Sequence, residues 1–72
     1  MSNDEKIAML EEIMDVDEGT LEIDTVLDEI DEWDSLSKLS LIAEAKKTFK
    51  IKLTSDVIES FATVKDICDF LK

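Results

Sequence analysis

The chain has 72 residues, 44% of them hydrophobic, and a formal net charge of -11. At this size folding buries about 60% of the surface that the unfolded chain exposes, enough for one small core, so one domain over residues 1–72 is expected. Histidine is absent and Cys68 is the only cysteine, which removes the commonest general base, an internal disulfide and a four-cysteine zinc site, and makes an enzyme the least expected class.

The first predicted helix spans about residues 3–14. Ser2 or Asn3 can cap it, Glu5 stands where a capping box needs it, and Ile7, Leu10, Ile13 and Met14 recur at helical spacing. The pattern fails at Asp15-Val16-Asp17-Glu18-Gly19-Thr20, a turn-forming stretch. It hints at a calcium loop, but Val26 stands where the bidentate glutamate belongs, so it reads as a solvated acidic turn and no metal site is expected.

Residues 15–34 form a long connection. Leu21, Ile23, Val26, Leu27 and Ile30 are too many apolar groups for a loop exposed throughout. They predict a segment laid across the helices, with a short turn near Thr25–Glu29.

The second helix is expected from Ser35 to about Lys50, with Asp34 as N-cap. On a helical wheel Leu36, Leu39, Leu41, Ile42, Ala43, Ala45 and Phe49 fill one broad apolar arc, while Ser37, Ser40, Glu44, Lys47 and Thr48 lie opposite. Lys38, Lys46 and Lys50 interrupt the arc, where their stems can lie along it. A short third helix, capped by Thr54 or Ser55, runs to about Ser60. Thr63 caps a fourth, with Asp66 at its third position and Val64, Ile67, Cys68, Phe70 and Leu71 inward. Lys72 suits a helix C-terminus. The fold class is therefore all-α: a small bundle of three main helices plus one short helix, with a long loop between the first and second. Cys68, Met9 and Met14 read as core residues.

Charge is unevenly placed. Up to Ser35 there are fourteen acids and one lysine, a local charge of -13; beyond it five acids face seven lysines, giving +2. Such a surface argues against nucleic-acid binding and suits steering toward basic partners. No apolar run approaches the roughly 20 residues of a transmembrane helix, and the acidic start Met1–Lys6 lacks the basic and apolar parts of a signal peptide. No membrane insertion, a cytoplasmic location and a monomer are expected.

The most informative stretch is Trp33-Asp34-Ser35-Leu36-Ser37-Lys38-Leu39. Its Asp-Ser-Leu opens a predicted helix near mid-chain behind a long acidic loop, Phe49 follows, and Thr63-Val64 opens the last helix without a gap in the intervals. In these features the chain resembles the acyl carrier protein family over essentially its whole length, most strongly over residues 27–71. The resemblance implies a carrier without catalysis of its own. A separate phosphopantetheinyl transferase would esterify Ser35 with 4'-phosphopantetheine, whose thiol holds acyl groups as thioesters, and acyl-loading and acyl-transfer enzymes would be the other partners. It further implies that Asp34, besides capping the helix, helps the transferase hold Mg2+, and that Leu36 packs against visiting enzymes. An ordinary helix-start serine remains the plain alternative for Ser35.

Two features depart from primary fatty-acid carriers. Ser37, Ser40, Lys46 and Lys47 stand where those carriers present acids, and Glu32-Trp33 replace the usual glycine before the serine. Acidity lies instead at Asp28, Glu29, Asp31 and Glu32, which with Trp33 and Leu36 are the candidate partner contacts. Trp33 equally suits a cover for the loop. Trp33-Asp34-Ser35-Leu36 looks more like carriers of polyketide, peptide or polysaccharide-modification pathways. The alternatives left open are a peptidyl or aminoacyl carrier and an arm-less interaction module of the same fold.

Overall fold

The computed structural model describes residues 2–71. Its elements, in chain order, are α1 (Asn3–Met14), a 3-10 turn (Leu27–Glu29), α2 (Ser35–Glu44) continuing into a π-helical turn (Ala45–Phe49), α3 (Ser55–Ser60) and α4 (Val64–Phe70). This is the expected bundle of four helices with a long first connection. Among the described residues no helix is long and apolar enough to cross a membrane.

Each helix starts on side-chain chemistry visible in the sequence. Ser2 Oγ accepts from the Glu5 backbone N–H at 3.2 Å, and the Glu5 carboxylate accepts from the Ser2 N–H at 3.0 Å. That reciprocal bond is the capping box, and the Ser2 N–H holds the Glu5 carboxyl below its ordinary pKa. Thr54 Oγ1 accepts from the Val57 N–H and caps α3. At α4 the Asp66 carboxylate accepts from the N–H groups of Ala62 at 2.8 Å and Thr63 at 3.1 Å. Helix α1 stops at Asp15, whose φ of 57° is a left-handed conformation that a short polar side chain tolerates.

The core unites α1, α2 and α4 through Leu10, Met14, Leu41, Ala45, Val64, Ile67, Cys68 and Leu71. Helix α1 packs against both α2 and α4. The connection contributes Leu21, Leu27 and Trp33, so it is part of the core, as its apolar content predicts. Its backbone is also tied down. Leu27 donates to the Ala62 carbonyl at 2.9 Å, and Val64 and Lys65 donate to the carbonyls of Thr25 and Ile23 at 3.0 and 2.8 Å.

Two charged side chains inside the fold escape any reading by periodicity. Glu11 is buried, and one carboxylate oxygen accepts from the N–H groups of Gly19 at 2.8 Å and Leu21 at 3.0 Å. Gly19 has a φ of 89°, a turn that glycine makes without strain. Lys6 is buried as well, its ammonium donating to the Cys68 carbonyl at 3.0 Å near the end of α4. A cation there complements the helix C-terminus. Lys72, expected in that role, lies outside the described residues.

Helix α2 corrects the helical-wheel reading. Ser37, placed on the polar side, is buried at 6% exposure, whereas Leu36 and Leu39, placed in the apolar arc, are 74% and 62% exposed, and Ala43 is exposed too. The physical reason is local. The Ser37 hydroxyl donates to the Glu32 carbonyl at 2.6 Å and binds the end of the connection to the helix, so a small polar residue faces the bundle there. Leu41 and Ala45 continue the buried line, with Ile42 and Phe49 half-buried. The π-helical turn ends at Lys50, whose left-handed backbone lets the N–H groups of Lys50 and Ile51 both reach the Ala45 carbonyl.

Candidate functional site

Ser35 is the first residue of α2. Asp34 adopts extended backbone before it, and Asp34 Oδ1 accepts from the Ser37 N–H at 3.0 Å, while the Asp34 carbonyl receives the Lys38 N–H at 3.0 Å. The expected N-cap role of Asp34 is thus present. Together the cap and the Ser37–Glu32 bond hold the chain on both sides of Ser35.

Ser35 is exposed. Among the described residues its hydroxyl makes no hydrogen bond, and the backbone N–H groups of Ser35 and Leu36 meet no protein acceptor. An exposed hydroxyl therefore stands at the positive end of α2 next to two free donors, surroundings that favour an attached anionic group.

Beside Ser35 lies a cleft of about 170 Å³ between α2 and α3. Leu39, Ile42 and Ile58 supply its apolar wall, with Ser55, Lys38 and Glu59 polar. The Lys38 ammonium reaches across to the Glu59 carboxylate at 3.3 Å, and it stands 5.9 Å from the centre of the Trp33 ring, within reach of a cation–π attraction. Periodicity placed the Lys38 stem along the helix but offered no sign of this pairing, since Glu59 is 21 residues away.

Trp33 is buried at 9% exposure. Of the two roles open to it, the packing shows the cover, so its place among the surface contacts is corrected: little of the ring is available to a visitor. Leu36 is open to solvent, as are Asp28, Glu29, Asp31 and Glu32 on the segment leading to the site. Among the described residues none of these four carboxylates is ion-paired. They make the exposed part of the segment before Ser35 acidic.

Cys68 is buried, and burial pushes its thiol pKa up, as befits a small core residue rather than a nucleophile.

Comparison with known proteins bears on the fold and the family. A family model described as "Phosphopantetheine attachment site" matches residues 7–71. The acyl carrier protein of Aster yellows witches'-broom phytoplasma is 36% identical over 58 residues, covering 81% of this chain and 76% of that protein. The acyl carrier protein of onion yellows phytoplasma is 35% identical over 68 residues, covering 93% and 90%. The solution NMR structure of holo acyl carrier protein from Geobacter metallireducens superposes with a TM-score of 0.74 at 29% identity, covering 96% of this chain and 79% of that one. A small acidic helical bundle is thus matched, over nearly the whole chain, by proteins of one kind: the chain belongs to the acyl carrier protein family, whose carrier domain is the attachment site of covalent 4'-phosphopantetheine.

Proposed function

We propose that Ser35 bears the phosphopantetheine arm and that the chain delivers acyl groups, without catalysis of its own, within a dedicated biosynthetic pathway outside primary fatty-acid synthesis. The observation that carries this reading is the Ser35 hydroxyl, exposed and unengaged beside two free backbone N–H groups at the start of α2. Those donors and the helix macrodipole fit a phosphodiester at that oxygen. When attached, the arm supplies a thiol that holds acyl groups as thioesters.

The chain's own residues position and present the site. Asp34 fixes the first turn of α2 through one carboxylate oxygen, and its other oxygen is left to assist a transferase's Mg2+. Leu36 and Leu39 flank Ser35 as exposed apolar contacts for phosphopantetheinyl transferase and for acyl-loading and acyl-transfer enzymes. Asp28, Glu29, Asp31 and Glu32 steer basic enzymes toward that end of the helix.

The pathway assignment rests on the charge of α2. Ser40, Lys46 and Lys47 are exposed where primary carriers present acids, which removes attraction and adds repulsion toward basic enzymes. Ser37 is buried and bonded to the Glu32 carbonyl, so it presents no charge position to a partner. The test is the rate of acyl transfer from a malonyl-transferring enzyme of primary fatty-acid synthesis to the arm-bearing chain. Slow loading is expected, with improvement at low salt in a Ser40→Glu, Lys46→Glu, Lys47→Glu variant. Loading as fast as that of a primary carrier would overturn the pathway reading, and no loading by any acyl transferase would overturn the carrier reading.

A further inference from the structure

At the far end of α2 from the acidic segment before Ser35 stands a group of lysines, two of which, Lys50 and Lys52, the carrier reading does not use, while it counts Lys46 and Lys47 only as missing acids. Lys46, Lys47, Lys50 and Lys52 are all exposed. In a chain with nineteen acids, none of the four forms an ion pair among the described residues. Even Glu44, one turn before, turns its carboxylate to the Thr48 hydroxyl at 2.8 Å instead. Lys46, Lys50 and Lys52 line one open depression of about 550 Å³, and the half-buried Ile51 is its apolar wall.

The backbone there is unusual. The helix passes through a π-helical turn, and Lys50 has a φ of 59°, a conformation that glycine or asparagine takes more readily. Solubility does not call for these lysines, because a net charge of -11 already provides it.

We infer that the depression bounded by Lys46, Lys50, Lys52 and Ile51 docks an acidic segment of a partner protein, one that lays an apolar side chain on Ile51. Charge complementarity selects the occupant. A nucleic acid or an anionic membrane is an extended polyanion and meets the whole chain's -11, not three lysines alone. A second copy brings another -11. A short acidic segment on a partner responds mainly to charges within a Debye length, about 8 Å at physiological ionic strength.

Fifteen residues separate Ser35 from Lys50, about 20 Å along the helix at its usual rise. That exceeds the screening distance, so the two ends of α2 are read independently. A partner with a basic area facing Asp28–Glu32 and an acidic segment facing Lys46–Lys52 is thereby held in one orientation along the helix. The inference stands whether or not Ser35 is modified.

The test is an amide chemical-shift titration of the unmodified 15N-labelled chain at low salt, using an end-blocked acidic pentapeptide with a central leucine as probe. Saturable shifts confined to residues 46–53 are expected. Affinity should fall about tenfold or more in the Lys46→Glu, Lys50→Glu, Lys52→Glu variant and in its all-glutamine counterpart, with circular dichroism unchanged. Replacing the peptide's leucine with serine should also weaken it. Absence of shifts in this segment would overturn the inference, as would equal shifts with sodium glutamate at matched carboxylate concentration. So would stronger perturbation of the same amides by phosphatidylglycerol vesicles or a short RNA, or self-association in sedimentation that the lysine variants abolish.

Discussion

Glu11 carries the clearest energetic consequence of the fold. Its buried carboxylate accepts two backbone N–H groups, from Gly19 and Leu21, and so fastens the start of the connection that ends at Ser35. Glu11→Ala leaves both donors without a partner. A hydrogen bond to a charged group is worth about 1.5–3 kcal/mol, and an orphaned buried donor costs about 1–3 kcal/mol. Because Gly19 itself is exposed, water can rescue one donor, and the net loss should be about 2–3 kcal/mol. Glu11→Gln keeps the oxygen acceptor and should lose about 1 kcal/mol. In a domain of this size each kcal/mol lowers Tm by about 4–8 °C, so the alanine variant should melt roughly 10–20 °C earlier. The opposing effect is relief of charge repulsion, which any removed carboxylate provides in a chain of net -11. Glu12→Gln, at the exposed neighbouring position, measures that relief alone. The assay is urea and thermal unfolding by circular dichroism of all three variants. If Glu11→Ala is as stable as Glu12→Gln, the two hydrogen bonds do not hold the connection and the reasoning fails.

Stability should rise with sodium chloride, by several degrees in Tm, because crowded carboxylates repel and the described residues contain one ion pair, Lys38–Glu59; a flat or falling midpoint would show the reverse. Asp66 is held below the ordinary carboxylate range first by the Ala62 N–H and then by that of Thr63. Its folded-state pKa is thus lower than its unfolded one, so its contribution is present above the unfolded value and is lost as pH falls through the folded value. The stability gap between the parent and Asp66→Asn should therefore be widest near neutrality and close on acidification, and a gap independent of pH would contradict the cap geometry. The buried Cys68 should resist a disulfide exchange reagent in the native unmodified chain and react on unfolding, leaving the arm as the sole accessible thiol once attached; rapid native reaction would show α4 opening readily.

Much of this architecture was legible because helix starts depend on near neighbours. Ser2 with Glu5, Asp34 before Ser35, Thr54, and Thr63 with Asp66 each signal a cap within three residues, and the structure contains those contacts. The long connection was legible as packed, since Leu21 and Leu27 had to be buried somewhere. Illegible features depend on distant partners. Lys6 meets the Cys68 carbonyl, 62 residues away, and Lys38 meets Glu59. The wheel misplaces the first turn of α2 because leucines at the start of a helix need not face inward: the Ser37 hydroxyl bonds the Glu32 carbonyl and Ser37 is buried, while Leu36 and Leu39 stay outside. A wheel weighs hydropathy and not such a bond. The same exposure places two apolar side chains near the candidate serine, and Trp33, two residues before it, is buried.

The most direct measurement is intact-mass spectrometry with peptide mapping after the chain is incubated with coenzyme A, Mg2+ and a broad-specificity phosphopantetheinyl transferase. The chain should gain a single phosphopantetheinyl group, mapped to the peptide containing Ser35. Ser35→Ala should gain none while keeping its helical circular dichroism, since Asp34 and Ser37 still form the cap. A parent chain that gains no mass, or an alanine variant that does, would contradict the assignment of Ser35 as the attachment site.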